Sequence, residues 1–506
     1  MLKFFLLLLI SLNGFAQTLC PDNLATLPVR SGGRVKPLHI LASETLRFMT
    51  GSEKLEEKSA VEVFCKLSFD GMGIKSQLDL PIKIEHTDAK KLLGLTDADT
   101  FMPASKLSLR MDEVRAAHQA IKENNSYKKE LNKILSRMQV LDQLKAGQTW
   151  TLPEKSTQNT IQWLPIFEFI TEPKVASLKE RSADPFQLMF EEARADYIKI
   201  EGDAFMMEHT YSKLNLFLWS LLLVILGLAL TFSLKTLSPG LTAAGLVIAL
   251  ELTAMILRIL ISGRAPITNM YETVMFSGFG ALVIAFALTL WKKQKLFLIG
   301  GLAYNGLCLM MMRFANNMLD PSISPLVPVL RDNFWLSTHV TTIILSYAAL
   351  ALSWVLANVV LVRQMFFTID SKETRFQMEQ IYTCMKVGVV LLAAGIILGG
   401  VWADYSWGRF WGWDPKETWS LIVLLIYMAI LHGRYSNWIT PARFIPLTAG
   451  AFMSVMMAWF GVNYILATGL HSYGFSEGGA IFLGSFFAIQ TTFLIISAIK
   501  NKKALI

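Results

Sequence analysis

A cluster of tryptophans is the part of this 506-residue chain whose side chains are best suited to bind a ligand. Between positions 407 and 420 the sequence reads WGRFWGWDPKETWS. An indole ring can lie flat on a large planar ligand at little cost in conformational entropy. Tryptophans also gather at membrane interfaces in proteins of every function. Because four of them in thirteen residues are denser than an interfacial belt requires, the stretch predicts a platform for a flat aromatic ligand: Trp407, Trp411, Trp413 and Trp419.

Small and acidic residues complete this stretch. Gly408 and Gly412 allow a ligand to approach the backbone closely, since glycine has no Cβ. Asp414 precedes a proline, and proline is tolerated in the first turn of a helix. The pair Asp414–Pro415 therefore predicts the start of the next helix.

Three histidines lie in the apolar part of the chain. His339 and His471 flank the tryptophans in sequence, and His432 ends the apolar segment that follows them. Neutral imidazole is the commonest metal ligand, although for each histidine alone an interfacial hydrogen bond is the better explanation. Haem needs both apolar contact for its macrocycle and axial ligands for its iron. The combination therefore predicts a haem site with His339 and His471 as ligands.

Long apolar segments must position these residues. The chain is 53% hydrophobic and 17% charged, which indicates a membrane protein with many spans. Candidate spans lie near residues 214–234, 241–261, 273–291, 296–312, 336–361, 387–403, 418–432, 443–467 and 480–499. We therefore expect an all-α polytopic membrane protein of about nine transmembrane helices with an N-terminal, mainly α extracytoplasmic domain.

The first residues resemble a targeting segment. Lys3, an apolar run and Ala16 form the pattern of a signal peptide over residues 1–16. The expected organisation is then an extracytoplasmic, periplasmic domain at 17–212 and a transmembrane domain at 213–503, in a bacterial inner membrane. Most basic residues of the short loops fall on the side opposite the tryptophans, so the positive-inside rule also places the tryptophans outside.

Charge and cysteine content limit the possible partners. The net charge of +8 is explained by basic loops at a lipid surface and calls for no nucleic acid. None of the four cysteines forms a Cys-x-x-Cys pair, which argues against thiol–disulfide exchange by this chain. Cys20 and Cys65 share a compartment in which a bridge can form, but the sequence does not decide whether they are bonded. Cys308 and Cys384 fit as packing residues.

The segment WGRFWGWD resembles the tryptophan-rich signature, or WWD motif, of the haem-handling proteins of cytochrome c maturation. The two flanking histidines are a second point of similarity. SGRAPITNMYETVMF, at 262–276, resembles the first outer loop of the CcsA-type members, which belong to System II. The resemblance covers about 214–503. Residues 33–51 are similar to a segment that precedes the membrane part in some bacterial fusions.

The resemblance implies haem transport and attachment. Haem b would be received at the inner side, carried outward and presented to apocytochrome c for thioether formation, as part of a cytochrome c synthase, or haem lyase, complex. It implies that His339 and His471 are the outer axial ligands and that His432 is a transient ligand at the inner site. The implied haem-binding motif consists of Trp407, Gly408, Trp411, Trp413 and Asp414.

Partners follow from the same resemblance. The family uses a second intramembrane histidine, and the first span here contains none. We therefore expect a CcsB/ResB-type membrane partner to supply it. The region 17–212 is expected to contact either apocytochrome c or a thiol-reducing partner.

Two other functions are compatible with the residues. Glu251 and Arg258 lie inside the second span, where charged residues often mark a transport path, so an ion or solute transporter with an aromatic interfacial loop is an alternative. These two residues equally fit pairing with another helix. A haem-bound electron carrier is a third hypothesis. Such proteins usually place histidine pairs within spans, whereas His339 and His471 are predicted at the outer ends of spans, which argues against it. Arg264 and Arg409 are candidates for contacts with haem propionates, and they equally fit structural roles.

Overall fold

A computed structural model describes residues 20–73, 76–122, 125–234, 236–315, 318–326, 332–367, 370–466 and 479–500. The expected signal peptide at 1–16 and the predicted ligand His471 lie outside these ranges. The chain divides into two compact units, Met1–Lys213 and Leu214–Ile506. The fold is that of a polytopic, all-α membrane protein whose N-terminal unit also contains short strands.

The N-terminal unit packs helices around a small antiparallel sheet of strand order β2-β1-β7-β8, with two further two-stranded pairs, β3-β4 and β5-β6. The strands are β1 (Pro28–Ser31), β2 (Arg34–Pro37), β3 (Lys54–Leu55), β4 (Lys58–Ser59), β5 (Pro81–Lys83), β6 (Phe101–Pro103), β7 (Thr151–Lys155) and β8 (Ile161–Pro165). The helices are α1 (Leu38–Thr50), α2 (Ala60–Ser68), α3 (Thr87–Leu92), α4 (Ala104–Ser108), α5 (Met111–Ala120), α6 (Ser126–Lys145), α7 (Ile166–Phe169), α8 (Glu172–Lys179), α9 (Pro185–Glu201) and α10 (Met206–Leu214).

Residues 61–85 show how local signals compete. Their short apolar runs and glycines predict strands, and this is wrong for the first part, which forms α2. Ser59 caps that helix by accepting a hydrogen bond from the amide of Glu62. The buried positions of the helix lie on one face, and packing of that face favours a helix. Only Pro81–Lys83 becomes a strand.

A disulfide bond joins Cys20 to Cys65 in α2. Because it closes a loop with a sequence separation of 45 residues, it restricts the unfolded chain and should add about 4 kcal/mol to the stability of this unit. We expect Cys65→Ser to lower the denaturant midpoint of the N-terminal unit in the full chain. A reducing agent should reproduce this shift in the unaltered protein and leave the variant unchanged. A wild-type midpoint insensitive to reduction would contradict the assignment.

The second unit is a helical bundle. Among the described residues, nine helical stretches are long and apolar enough to cross a membrane, the first running from Met206 to Ser233. The helices of this unit are α11 (Leu216–Ser233), α12 (Ser238–Ser262), α13 (Met270–Lys292), α14 (Lys295–Phe314), α15 (Asn333–Trp335), α16 (Thr341–Phe366), α17 (Ser371–Trp407), α18 (Pro415–Tyr435), α19 (Pro441–Met456) and α20 (Gly479–Lys500). Leu336–Val340 and Met457–Leu466 are π-helical and extend α16 backward and α19 forward.

The predicted spans are confirmed, with one large change in length. The span predicted at 387–403 belongs to α17, which begins at Ser371 behind an Asp370 cap. Its first turns carry Lys, Glu and Arg, so apolar content alone does not reveal them. α16 and α19 are the most enclosed of the spans, and α20 is the least. One π-helical stretch directly precedes α16, and the other directly follows α19.

Candidate functional site

A cavity of about 190 Å³ lies at the end of the second unit where α17 finishes and α18 begins. Its walls are mostly apolar and aromatic. They come from the segment before α13, α13 itself, α16, α17, the loop after α17, α18 and both π-helical stretches. The lining side chains include those of His339, Trp402, Phe410, Trp411, Lys416 and Trp459.

Both π-helical stretches line this cavity. One contributes His339 and Val340, and the other contributes Ala458, Trp459 and Asn463. π-helical turns are rare and occur frequently at functional sites, because the extra residue turns side chains toward a ligand at a cost in helix stability. Trp459 is held by a hydrogen bond from its indole Nε1 to Thr273 Oγ1 of 3.2 Å. The two π-helical stretches lie far apart in the sequence, and both indicate that this cavity is a functional site.

His339 has one defined orientation. Its Nδ1 lies 2.9 Å from the carbonyl oxygen of Gly395 in α17. A carbonyl oxygen only accepts hydrogen bonds, so Nδ1 carries the proton and Nε2 carries the lone pair in the neutral ring. The buried ring of Trp402 lies edge-on to the imidazole, with 5.7 Å between ring centroids. This is the tautomer in which a histidine ligates a metal through Nε2.

The tryptophan-rich stretch is only partly a loop. α17 ends at Trp407, and Gly408 follows with φ of 67°, a left-handed cap that glycine adopts without strain. The stretch becomes helical again at Pro415. Asp414 caps α18 by accepting a hydrogen bond of 2.9 Å from the amide of Glu417, which confirms the predicted helix start.

Glu417 organises this loop and was not singled out from the sequence. Its carboxylate accepts hydrogen bonds from the amides of Gly412 (2.6 Å) and Asp414 (3.3 Å), and Arg409 approaches it at 3.2 Å. The intervening Trp413 has φ of 55°, a strained value for a tryptophan. Glu417 therefore fixes the backbone on both sides of the strained residue. A Cβ at Gly412 would overlap the Arg409 guanidinium, so this glycine makes room for that side chain.

Replacing Glu417 by alanine is expected to loosen the loop. The variant loses the reciprocal half of a capping box and the partner of Arg409, at a cost of about 1–2 kcal/mol. Faster tryptic cleavage after Arg409 in the full-length protein would report the change. Glu373→Ala is the matched control, since Glu373 is also the third residue after a capping aspartate. Equal protection of loop 408–414 in both variants would contradict this role.

The four tryptophans of the predicted platform separate in the structure. Trp411 lines the cavity. Trp413 is 69% exposed, and its ring packs edge-on against that of Trp411, with 5.9 Å between the ring centroids. Trp407 lies beneath the Arg409 guanidinium, and Trp419 lies in α18 on a separate apolar groove. Trp402 and Trp459, outside the 407–420 stretch, supply the other indole walls.

A buried ion pair supports the part of the cavity wall that Thr268 forms. Arg258 of α12 donates to Glu272 of α13 across 2.8 Å, and both side chains are almost fully buried. The other carboxylate oxygen accepts from the amide and hydroxyl of Thr268, each at 2.7 Å. Thr268 lines the cavity. Arg258 is therefore paired with a neighbouring helix, and Glu251 likewise accepts from Asn305 at 3.0 Å.

The remaining candidates lie elsewhere. His432 is eighteen residues after Asp414 on the same helix, roughly 27 Å along the axis, and its Nδ1 contacts the Met428 carbonyl at 2.8 Å. Arg264 donates to the carbonyl of Ser324 at 2.8 Å. Neither arginine proposed for propionate contacts is a lining residue, whereas Lys416 is one. Sequence reasoning missed Lys416, although it directly follows the predicted helix start.

This arrangement suits a flat, metal-centred ligand with acidic groups. Aromatic walls offer contact to a macrocycle, an imidazole with an Nε2 lone pair offers a ligand to iron, and Lys416 offers a positive charge. As formed by the described residues, the cavity is smaller than the roughly 300–1,000 Å³ that commonly encloses drug-sized molecules, so a porphyrin would be only partly enclosed by them.

Comparisons with known proteins cover the second unit. The family model described as "Cytochrome C assembly protein" matches residues 212–471. NrfI of Wolinella succinogenes is 37% identical over 238 residues, which are 44% of this chain and 25% of NrfI. The cytochrome c biogenesis protein CcsA of Guillardia theta is 36% identical over 239 residues, 42% of this chain and 78% of that protein. CcsA of Synechococcus sp. (strain CC9311) is 31% identical over 301 residues, 52% of this chain and 98% of that protein.

Proposed function

Because this chain belongs to the cytochrome c assembly protein family, we propose that its second unit binds haem b at the His339 cavity and presents it to apocytochrome c. The protein is a multi-pass membrane protein of cytochrome c biogenesis, and that role implies contact with haem and apocytochrome. The activity that we propose in detail is the covalent attachment of haem to apocytochrome c through thioether bonds, with haem as a substrate.

One observation carries the proposal: His339 lines a cavity walled by indoles and donates its Nδ1–H to the Gly395 carbonyl, which leaves the lone pair on Nε2. In this tautomer Nε2 is the nitrogen that can ligate iron, and two π-helical stretches, which occur often at functional sites, line the same cavity. His471 is proposed as the second axial ligand from family resemblance, and it lies outside the described residues. Trp407, Gly408, Trp411, Trp413 and Asp414 are proposed as the haem-binding motif on the same ground.

The work of the protein's own residues is positioning. Two cysteine thiols of the incoming segment add across the two vinyl groups of haem. In each addition the S–H bond and the π bond of the vinyl group break, and one C–S and one C–H bond form. The addition consumes no external oxidant. Indole walls hold the macrocycle, and Lys416 offers a charge for a propionate. A partly enclosing cavity leaves an edge of the porphyrin accessible. The histidine of the incoming segment then displaces one axial ligand, which releases the product.

The location and partners form the second part of the proposal. The Cys20–Cys65 bond fits an oxidising compartment, which supports a periplasmic N-terminal unit and a bacterial inner membrane. The cavity then opens at the outer face, and His432, at the far end of α18, receives haem at the inner side. A CcsB/ResB-type partner supplies the second intramembrane histidine. The N-terminal unit contacts apocytochrome c or a thiol-reducing partner.

Colour and product formation test this proposal. Protein purified with its partner from haem-replete cells should show a Soret band, and co-expression with an apocytochrome should yield cytochrome that retains haem in denaturing gels. Omitting this chain should abolish that covalent product. A colourless preparation that moves ions in proteoliposomes and forms no covalent product would instead support a transporter.

A further inference from the structure

The contact between α16 and α17 follows a repeated pattern of glycines. From the N-terminus of α17 toward its C-terminus, glycines at 388, 395 and 399 face side chains at 350, 343 and 339 of the preceding helix. On both helices these positions are separated by seven and then four residues. A methyl group at each glycine would lie 2.6 Å from its partner, closer than van der Waals contact permits. The facing pairs are Gly388 with Leu350, Gly395 with Ile343, and Gly399 with His339.

The last pair differs chemically from the other two. Leu350 and Ile343 are apolar side chains that fill the space left by a glycine, as is common where membrane helices pack closely. At Gly399 the same space is occupied by the imidazole of His339. A methyl group there would lie 2.6 Å from Cε1, 3.0 Å from Nδ1 and 3.3 Å from Nε2, so it meets the ring over three of its atoms.

We propose that Gly399 is a positioning residue that, with the Gly395 carbonyl, fixes His339 as an Nε2 ligand for the iron of haem; this rests on the function proposed above. By accepting from Nδ1–H, the carbonyl fixes the rotation of the ring about its Cβ–Cγ bond, and the glycine fixes the distance of the ring from α17. The packing of two helices thus sets the position of the lone pair. Groups that orient a metal ligand typically contribute 10–100-fold to metal affinity.

The experiment compares three alanine variants in the full-length protein. Gly399→Ala displaces the imidazole. Gly388→Ala, on the same helix, overpacks equally tightly against Leu350 and leaves the histidine alone. Gly484→Ala lies in α20, where no atom lies within 4 Å of the added methyl group. Each purified protein is loaded with haem b, and its affinity, ferric spin state and response to added imidazole are measured.

We expect Gly399→Ala to bind haem about 10–100-fold more weakly, to shift the bound haem from low-spin toward high-spin, and to regain the low-spin spectrum with imidazole. The folded fraction of Gly388→Ala should keep the wild-type spectrum, as should Gly484→Ala. An unchanged spectrum for Gly399→Ala, or the same spectral shift for Gly388→Ala, would overturn the positioning role alone. A wild-type protein that binds no haem would overturn the proposed function as well.

Discussion

His339→Ala is expected to remove the low-spin spectrum of bound haem and to abolish formation of covalent cytochrome c. The variant deletes the imidazole proposed as the iron ligand, while the Gly395 carbonyl and the indole walls remain. Since residues that only orient a ligand contribute 10–100-fold, loss of the ligand itself should weaken haem binding by at least about 100-fold. Optical spectra of reduced protein and haem staining of the co-expressed cytochrome measure both effects.

Two further variants separate ligation from folding. Thr342→Ala lies one turn further along the same helix, where its hydroxyl donates to the Thr338 carbonyl at 2.7 Å and does not line the cavity. It should retain the spectrum. His339→Gly leaves space for free imidazole, which should restore the low-spin form. A low-spin spectrum that survives in His339→Ala would show that another residue ligates the iron.

Glu272→Ala is expected to cost roughly 3–5 kcal/mol in the second unit, because it removes the carboxylate that lies against the buried guanidinium of Arg258. The same carboxylate holds Thr268, so the wall of the cavity that Thr268 lines should loosen and haem occupancy should fall. The thermal midpoint of detergent-solubilised protein and its haem content measure the two consequences.

The matched variant removes both charges. Arg258→Met combined with Glu272→Leu leaves no unpaired charge in the apolar interior and should regain most of the stability. Its haem content should stay low, because Thr268 still lacks its acceptor. If Glu272→Ala is as stable as the wild type, the ion pair does not hold this wall.

Much of the fold follows from local sequence. Apolar runs long enough to cross a bilayer identify the spans, since a helix satisfies its own backbone hydrogen bonds in lipid. The Asp414–Pro415 pair marks the start of α18 because its capping is local. The tryptophan stretch follows the end of α17, and His339 directly precedes the start of α16. Because these two helices pack together, the placement of His339 beside indoles also follows in outline.

The details of the site depend on packing between distant segments. Which indoles face the cavity is decided by the strained backbone at Trp413 and by Glu417, and neither is visible in composition. The π-helical stretches leave no simple periodic signal. In the N-terminal unit, His39 and His209 lie far apart in the sequence, yet their Nδ1 atoms lie 3.3 Å apart. Burial lowers the pKa of His39, which is consistent with a neutral ring in this contact.

A density map of the haem-loaded protein with its partner tests the central claim most directly. The iron should be bonded to Nε2 of His339, with the macrocycle against Trp402 and Trp411 and a vinyl edge open to the aqueous side. Two results would contradict the account. One is haem bound away from this cavity. The other is iron bonded to other residues while the imidazole of His339 stays against Gly399 and makes no bond to the iron.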